Sequence, residues 1–161
     1  MAESQTHWVL LIPEGLYPEV QSPADTALQA VRIPFVTQDD FDTILWSSDL
    51  NFVRGEDSVI RALWAGKPLV WQIYEQEERA HIIKLRAWLA SSPYPESVHS
   101  LMLNWNTGQT GAAQSSLANL IDGPAWEPWK TSAMDWAEQL ANQPALAASL
   151  EAFCAKNWQT R

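Results

Sequence analysis

The chain has 161 residues with 47% hydrophobic content, which is enough for one well-buried core and too little for two domains of average size. Its 19 acidic and 10 basic residues give a formal net charge of −9, which disfavours nucleic-acid binding because phosphate would be repelled. No apolar run approaches the about 20 residues of a membrane span, and Met1–Gln5 lacks the features of a signal peptide, so we expect a cytoplasmic, single domain over residues 1–161.

Short apolar runs alternate with amphipathic stretches in the first half of the chain, which is the pattern of strands and helices in a parallel sheet. The predicted strands are 8–12, 31–36, 50–53 and 69–73, and the predicted helices are 38–47, 57–65 and 76–89. Pro34 has no amide to donate and must lie at the end or on the edge of its strand. The region from about 8 to 92 is therefore predicted to be α/β, a Rossmann-like parallel sheet with flanking helices.

From Pro93 onward the strand signals stop, and residues 93–161 are predicted to form a helical tail. The expected helices are about 96–105, 111–121, 131–142 and 144–157. Pro144 fits the first turn of the last helix, where its missing N–H costs nothing. The apolar face of this helix, formed by Leu146, Leu150 and Phe153, is predicted to be buried. Cys154 shares that face and is expected to fill the core rather than act as a nucleophile.

Cysteine and histidine are too scarce to suggest a metal centre. The single Cys154 cannot form an internal disulfide, and the three histidines are scattered along the chain. We expect no metal and no cofactor, and we interpret His81, four residues after Glu77, as a structural histidine rather than a base. The 10 tryptophans are expected to serve mainly in the core, because stacking on a ligand would use only one or two aromatics.

The most informative stretch runs from Asp49 to Ser58, where a buried strand leads through a turn with one glycine directly into a helix. In a parallel sheet this turn lies at the carboxyl edge, where ligands bind. Arg54 offers a planar fork that matches diphosphate oxygens. The helix start adds backbone amides, with Gly55 in the turn and the hydroxyl of Ser58 close by. In outline, the turn predicts an anion site.

The two carboxylates of this turn fit a different part of a ligand. Glu56 and Asp57 would be repelled by a diphosphate, but they can accept hydrogen bonds from sugar or ribose hydroxyls. Alternatively, Asp57 caps the helix and Arg54 pairs with either carboxylate at the surface, an arrangement worth about 1 kcal/mol. The spacing alone favours neither interpretation.

Aromatic residues follow two of the predicted strands. Phe35 lies at the end of its strand and Phe41 in the next helix, with Gln38 between them, so a ring could stack on a nucleobase while the amide reads its edge. Tyr74 follows the fourth strand and is expected at the same sheet edge, within reach of a phosphate. Core packing is the alternative for each aromatic, and it is stronger for Phe41, at helical spacing with Leu45, than for Tyr74.

Several segments resemble the elongation factor P arginine rhamnosyltransferases. The segments that carry the resemblance are Ile33–Asp42, Leu45-Trp46, Asp49–Ser58, Arg61-Ala62, Trp64–Pro68, Trp71–Tyr74, His81, Lys84-Leu85 and Trp105-Asn106. Together they cover roughly positions 9 to 106, and the block from 49 to 68 is too specific to be explained well by chance. The helical tail resembles the family only loosely.

The resemblance implies a two-lobed fold of the GT-B type, in which this chain is the C-terminal lobe that binds dTDP-β-L-rhamnose. It also implies an inverting transfer of rhamnose to an arginine of elongation factor P, which docks mainly on the N-terminal lobe. By its match to the family, Glu56 is the essential glutamate and the expected catalytic residue. The expected donor-binding residues are Phe35, Gln38, Phe41, Arg54, Gly55, Asp57, Ser58 and Tyr74.

The chain departs from the family in length, because family members are longer. An essential aspartate in a glycine-rich loop of the N-terminal lobe, and a tyrosine that helps to hold the diphosphate, have no counterpart here. The resemblance therefore implies a separately expressed lobe or a truncated product, which binds dTDP or dTDP-rhamnose and is inactive alone.

Two other functions stay open on the sequence. One is a non-catalytic acidic module that recognises a basic protein such as elongation factor P, although solubility alone also explains the acidity. The other is a sugar-nucleotide enzyme of a different class on the same fold. The absence of a G-x-G-x-x-G turn argues against a dinucleotide dehydrogenase.

Overall fold

The computed structural model describes residues 7–22 and 27–158 of the chain. The chain divides into two compact units, Met1–Phe41 and Asp42–Arg161. The prediction of one domain over residues 1–161 stays a prediction. In the part of the chain that the structure describes, no helix combines the length and the apolarity needed to cross a bilayer.

The first unit is built on two parallel strands, β1 (Trp8–Pro13) and β2 (Leu28–Ile33). Their register places Trp8 opposite Leu28 and Pro13 opposite Ile33. The predicted strand 31–36 therefore begins and ends too late. Pro34 follows β2 directly, as expected for a residue that has no amide to donate to the ladder.

The side chain of Arg32 fastens the loop that follows β1. Its guanidinium donates hydrogen bonds of 2.5 to 2.7 Å to the backbone carbonyl oxygens of Leu16, Tyr17 and Val20. Tyr17 adopts a positive φ of 48°, a conformation that a non-glycine residue rarely takes without such support. The loop is thus held to β2 by one charged side chain.

The second unit contains another parallel pair, β3 (Asn51–Val53) and β4 (Leu69–Trp71), connected by helix α2 (Glu56–Trp64). The predicted α/β class, with parallel strands and flanking helices, is confirmed. Within the described residues the parallel strands form two separate pairs. Each pair belongs to its own compact unit, and the strands of the second pair are only three residues long.

The predicted helices are largely confirmed, with shifted ends. Helix α1 (Gln38–Ser47) has its predicted bounds, and the tail consists of α4 (Glu96–Asn106), α5 (Thr110–Ile121), α6 (Trp126–Ala141) and α7 (Leu146–Trp158). Helix α6 begins five residues before the predicted 131 and includes Pro128 in its first turn, where an amide has no helical acceptor in any case. Pro144 precedes α7 instead of lying in its first turn, so that prediction is wrong. At the start of this helix, the backbone N–H of Ser149 donates to the carbonyl oxygen of Ala145.

The predicted helix 76–89 is interrupted at its start. Residues Glu77–Arg79 form a 3₁₀ turn, and α3 (Ala80–Ser91) begins only after it. Glu78 and Arg79 have positive φ angles of 53° and 60°, which no α-helix accommodates. The buried His81 accepts the backbone N–H of Gln76 at its Nδ1, 3.1 Å away, and so holds the turn in place. This contact supports the interpretation of His81 as a structural residue.

Aromatic rings form much of the core of the second unit. Trp88 contacts the rings of Trp71, Tyr94 and Trp136, with centroids 5.2 to 6.1 Å apart. Tyr94 also meets Trp129, which is completely buried. The expected packing role is confirmed for Trp71, Trp129 and Trp136, whereas Trp46 and Trp64 are exposed.

The apolar face of α7 is exposed, contrary to the prediction. Leu146, Leu150 and Phe153 keep 53 to 75% of their surface accessible, and Cys154 is a free, exposed thiol. The prediction that Cys154 fills the core is therefore wrong. Helical spacing established that these residues share a face, but it could not show whether another element covers that face.

Candidate functional site

The segments that follow β3 and β4 leave the sheet at the same edge. Arg54 comes directly after β3, and the backbone N–H of Gln72, just after β4, donates to the carbonyl oxygen of Val53 at 2.8 Å. Tyr74 lies two residues further along this segment and is half exposed. The predicted placement of Arg54 and Tyr74 at one carboxyl edge is confirmed.

Arg54 and Tyr74 are in contact at this edge. The Cζ atom of Arg54 lies 4.9 Å from the centroid of the Tyr74 ring, a cation–π geometry. The backbone of Arg54 is held by the core, because its carbonyl oxygen accepts a hydrogen bond from the Nε1–H of the buried Trp71 at 2.8 Å. The main chain is thus anchored to the core while the guanidinium lies over an exposed ring.

Gly55 lies where the turn, α2 and Tyr74 converge. It is the N-cap residue of α2, in an extended conformation that any residue can adopt. A Cβ atom added there would lie 3.8 Å from both Ser58 Oγ and Tyr74 Cε2, at ordinary contact distance. Since α2 begins at Glu56, Asp57 is not the N-cap residue, and the alternative in which it caps the helix is wrong.

Glu56, in the first turn of α2, forms an ion pair that the sequence analysis did not find. Lys84 on α3 donates to its Oε1 at 2.8 Å. This hydrogen bond, together with the positive charge of Lys84, lowers the pKa of Glu56 below its ordinary value. The two residues are 28 positions apart, beyond the reach of any helical spacing rule. The only sequence signal was the presence of Lys84 among the segments that resemble the rhamnosyltransferases.

Asp57 is paired as well, through a neighbouring arginine. Arg61 donates from Nε to Asp57 Oδ2 at 3.1 Å and from a terminal nitrogen to Asp42 Oδ2 at 2.8 Å. The suggested surface pairing of Arg54 with Glu56 or Asp57 is therefore wrong, because both carboxylates are held by other cations. Arg54 remains directed at Tyr74.

Asn106, at the end of α4, fastens the segment between β4 and Tyr74. Its Oδ1 accepts the backbone N–H of Ile73 at 2.9 Å, and its Nδ2 donates to the carbonyl oxygens of Trp71 and Met102 at 2.8 Å. One amide thus ties a helix to the strand end that presents Tyr74. Trp105-Asn106 belonged to the resemblance, but no local pattern predicted this contact.

Phe35, Gln38 and Phe41 belong to the first unit. Phe35 is 76% exposed, which excludes the core-packing alternative for this ring, whereas Phe41 is half-buried. Gln38 is exposed at the start of α1, where Thr37 Oγ1 accepts the backbone N–H of Asp40 at 3.2 Å and donates to its carboxylate. The hydroxyl of Thr37 thus caps the start of α1.

Among the described residues there is no group of three or more histidine, cysteine, aspartate or glutamate side chains that could hold a metal ion. The expectation of a reaction without metal or cofactor stays a prediction.

Comparison with known sequences identifies the family. Over residues 3–155 the sequence matches the family described as Elongation-Factor P (EF-P) rhamnosyltransferase EarP. The chain belongs to the EarP family. The match reaches through most of the helical tail, further than the segments that carried the resemblance.

Curated relatives support the assignment to EarP. The chain is 42% identical over 137 residues to a protein-arginine rhamnosyltransferase of Pseudomonas aeruginosa, covering 80% of this chain and 35% of the relative. It is 36% identical over 148 residues to the enzyme of the same name from Neisseria meningitidis serogroup B, covering 84% of this chain and 37% of the relative. The chain thus spans about a third of the length of the curated EarP relatives that it matches.

A solved structure shows the same fold. The chain superimposes with a TM-score of 0.66 and 32% sequence identity on a structure described as the structural basis for EarP-mediated arginine glycosylation of translation elongation factor EF-P. The similarity covers 95% of this chain and 53% of the solved EarP chain. The α/β fold is therefore that of part of an EarP protein.

Proposed function

We propose that the chain is the donor-binding, C-terminal half of an inverting glycosyltransferase that transfers rhamnose from dTDP-β-L-rhamnose to an arginine of elongation factor P. The observation that carries the proposal is the match to the EarP family over residues 3–155. That membership and the resemblance described above support the proposed donor, acceptor and cytoplasmic location.

The edge formed by the segments after β3 and β4 suits the diphosphate of the donor. Arg54 supplies a cation with a planar donor fork, and the first amides of α2 have no acceptor within the helix. Ser58 adds a hydroxyl close to Gly55, and Tyr74 supports the guanidinium from one side. Hydrogen bonds to charged groups contribute about 1.5 to 3 kcal/mol each, enough to hold a diphosphate without a metal ion.

The carboxylates of the turn suit the sugar. Glu56 is ionised near neutral pH, since Lys84 lowers a pKa that is already well below 7, and an ionised carboxylate accepts hydrogen bonds from hydroxyl groups. We assign Glu56 the catalytic role of orienting the reacting rhamnose, and Asp57 a role in donor binding beside it. The ion pairs with Lys84 and Arg61 offset the repulsion between these carboxylates and the diphosphate.

Three residues of the first unit complete the proposal. The resemblance implies that Phe35 and Phe41 lie near the nucleoside and that Gln38 binds the nucleotide. The exposed ring of Phe35 is available for such stacking. All three roles rest on the resemblance, and those of Phe35 and Gln38 also rest on exposure. Each role is tested by its own alanine variant in the titration described next.

Calorimetric titration of the chain with dTDP, UDP and NAD tests the donor site. The proposal expects binding of dTDP that exceeds binding of the other two nucleotides. Equal binding of NAD or UDP would favour an enzyme of another class. Binding of elongation factor P in the absence of any nucleotide affinity would favour the acidic binding module.

Mass spectrometry of elongation factor P, incubated with this chain and dTDP-β-L-rhamnose, tests the second half of the proposal. We expect no modification, because the chain spans only about a third of the curated relatives it matches and inverting transfer also needs an oriented acceptor. A gain of one deoxyhexose on arginine would show that the 161 residues suffice for transfer.

A further inference from the structure

Lys84 joins three segments of the second unit at the candidate site. Its Nζ lies 2.8 Å from Glu56 Oε1 in the first turn of α2, and 5.7 Å from the centroid of the Trp71 ring at the end of β4. Lys84 itself belongs to α3. The proposed function gives this lysine no contact with the donor, so its position at the site needs an explanation.

We propose that Lys84 is a positioning residue for Glu56, which holds the carboxylate in the orientation that binds the sugar of the donor. This inference rests on the proposed function, because it assumes that Glu56 contacts the rhamnose. It assigns Lys84 no contact with the reacting atoms.

The surroundings of Glu56 explain why a positioning residue is needed. The side chain is more than half exposed, and an exposed glutamate rotates among several rotamers that point its carboxylate in different directions. The bond from Lys84 selects among these rotamers. Lys84 in turn lies over the face of a buried tryptophan ring, since Trp71 is only 2% exposed.

The same tryptophan connects the sugar side and the phosphate side of the proposed site. Its Nε1–H donates to the carbonyl oxygen of Arg54, while its ring supports the ammonium group of Lys84. One buried side chain thus sets the backbone position of Arg54 and the location of the cation that pairs with Glu56. This arrangement links the positions of the groups that we propose to bind the two ends of the donor.

Orientation, not ionisation or stability, is the effect to be expected near neutral pH. The ordinary pKa of a glutamate is 4.5, so Glu56 is ionised at pH 7 with or without its partner. Exposed ion pairs contribute little to folding because solvent screens them. A change in sugar binding at pH 7 on loss of Lys84 therefore reports the orientation of the carboxylate.

The test compares the affinities of dTDP-β-L-rhamnose and dTDP for the whole chain by calorimetry at pH 7. The variants are Lys84→Met, Lys84→Arg, Glu56→Gln, and the double variant of Lys84→Met with Glu56→Gln. We expect Lys84→Met to reduce the ratio of the two affinities about tenfold, as the loss of one hydrogen bond to a charged group would. Lys84→Arg should restore most of the ratio, and the double variant should lose no more than Glu56→Gln alone.

Lys130 on α6 provides a matched control. It pairs with Glu127 at 2.6 Å, its Nζ lies 5.7 Å from the centroid of the Trp126 ring, and its exposure resembles that of Lys84. Lys130→Met therefore removes the same kind of ion pair and the same kind of ring contact from a helix outside the proposed site. This variant should leave the affinity ratio unchanged, and thermal melts should show both lysine variants to be folded.

Three results would overturn the inference. Equal weakening of dTDP and dTDP-rhamnose in Lys84→Met would indicate a general structural role. Unchanged affinities in Lys84→Met, beside a reduced ratio in Glu56→Gln, would show that Glu56 does not need Lys84 for sugar binding. Losses that add fully in the double variant would mean that Lys84 does not act through Glu56. If the unaltered chain binds neither dTDP nor dTDP-rhamnose, the proposed function itself is rejected. If the chain binds both with equal affinity, the role of Glu56 in sugar binding is rejected but the proposed nucleotide site is not.

Discussion

The guanidinium of Arg54 lies over the ring of Tyr74, with Cζ 4.9 Å from the ring centroid. The two residues follow adjacent parallel strands, so their contact joins the two segments that form the carboxyl edge of this strand pair. Stacking on an aromatic face restricts the guanidinium without using its hydrogen-bond donors. The ring of Tyr74 therefore restricts the orientation of the guanidinium while its N–H donors remain available to an anion.

Replacing Arg54 with alanine should weaken dTDP binding by about 1.5 to 3 kcal/mol, because a charge-assisted contact to the diphosphate is lost. Calorimetry at low and moderate salt measures this change. Arg86→Ala, which removes an exposed arginine from α3, is the matched control for the change in net charge. An Arg54→Ala variant that binds dTDP as tightly as the Arg86→Ala variant would contradict the assignment.

Tyr74→Phe and Tyr74→Leu should separate the two roles of the tyrosine. The phenylalanine variant keeps the ring beneath Arg54 and loses only the hydroxyl, so a loss of dTDP affinity would reveal a hydroxyl-to-phosphate bond. The leucine variant loses the cation–π contact as well, which contributes about 0.5 to 1 kcal/mol at an exposed position. We expect both variants to bind dTDP more weakly, and the leucine variant to be the weaker; the reverse order in the titration would reject the supporting role of the ring.

Asn106→Ala should lower the free energy of unfolding by about 1 to 3 kcal/mol, because backbone groups at Ile73 and Trp71 lose their partner. Urea denaturation measures the change. Asn142→Ala removes an exposed amide that donates to a helix carbonyl on α6 and should cost no more than about 0.5 kcal/mol. Equal costs for the two variants would show that the Asn106 contacts do not stabilise the strand end.

The burial of Tyr94 predicts that the free energy of unfolding falls at high pH. Burial among tryptophan rings raises its pKa in the folded protein above the ordinary 10.0. The contribution of Tyr94 to the free energy of unfolding is fully present below pH 10. It falls at higher pH, where this tyrosine ionises in the unfolded chain but not in the folded protein. The decline amounts to about 1.4 kcal/mol per pH unit above that point. Denaturation curves at pH 9 to 11 should show that the free energy of unfolding declines less steeply with pH in Tyr94→Phe than in Tyr17→Phe, which alters an exposed tyrosine. Equal slopes for the two variants would contradict the raised pKa of Tyr94.

Cys154 should react with a thiol reagent in the native protein. The side chain is exposed on α7, so the folded structure does not have to open before the thiol meets the reagent. Absorbance measurements with Ellman's reagent should give similar extents of reaction with and without denaturant. A thiol that reacts only in denaturant would restore the sequence prediction of a buried cysteine.

Much of the fold was readable from local sequence patterns. Helix α1 and the strand–turn–helix from β3 to α2 follow from apolar spacing and from the glycine at 55, since both signals act over a few residues. The prolines did not mark the helix starts correctly. Pro128 lies in the first turn of a helix that the sequence analysis began five residues too late, and Pro144 precedes its helix. The first turn of a helix tolerates proline, so the residue alone does not mark where the helix begins.

The candidate site depended on tertiary structure for its partners. Sequence predicted that Arg54, Glu56, Asp57 and Tyr74 carry chemistry, because the turn and the family resemblance both lie within short segments. It could not tell which cation pairs with which carboxylate, since Lys84 reaches Glu56 from a helix 28 residues later. It also could not show that the apolar face of α7 is exposed, because periodicity determines which side chains share a face but only packing between elements decides whether that face is covered.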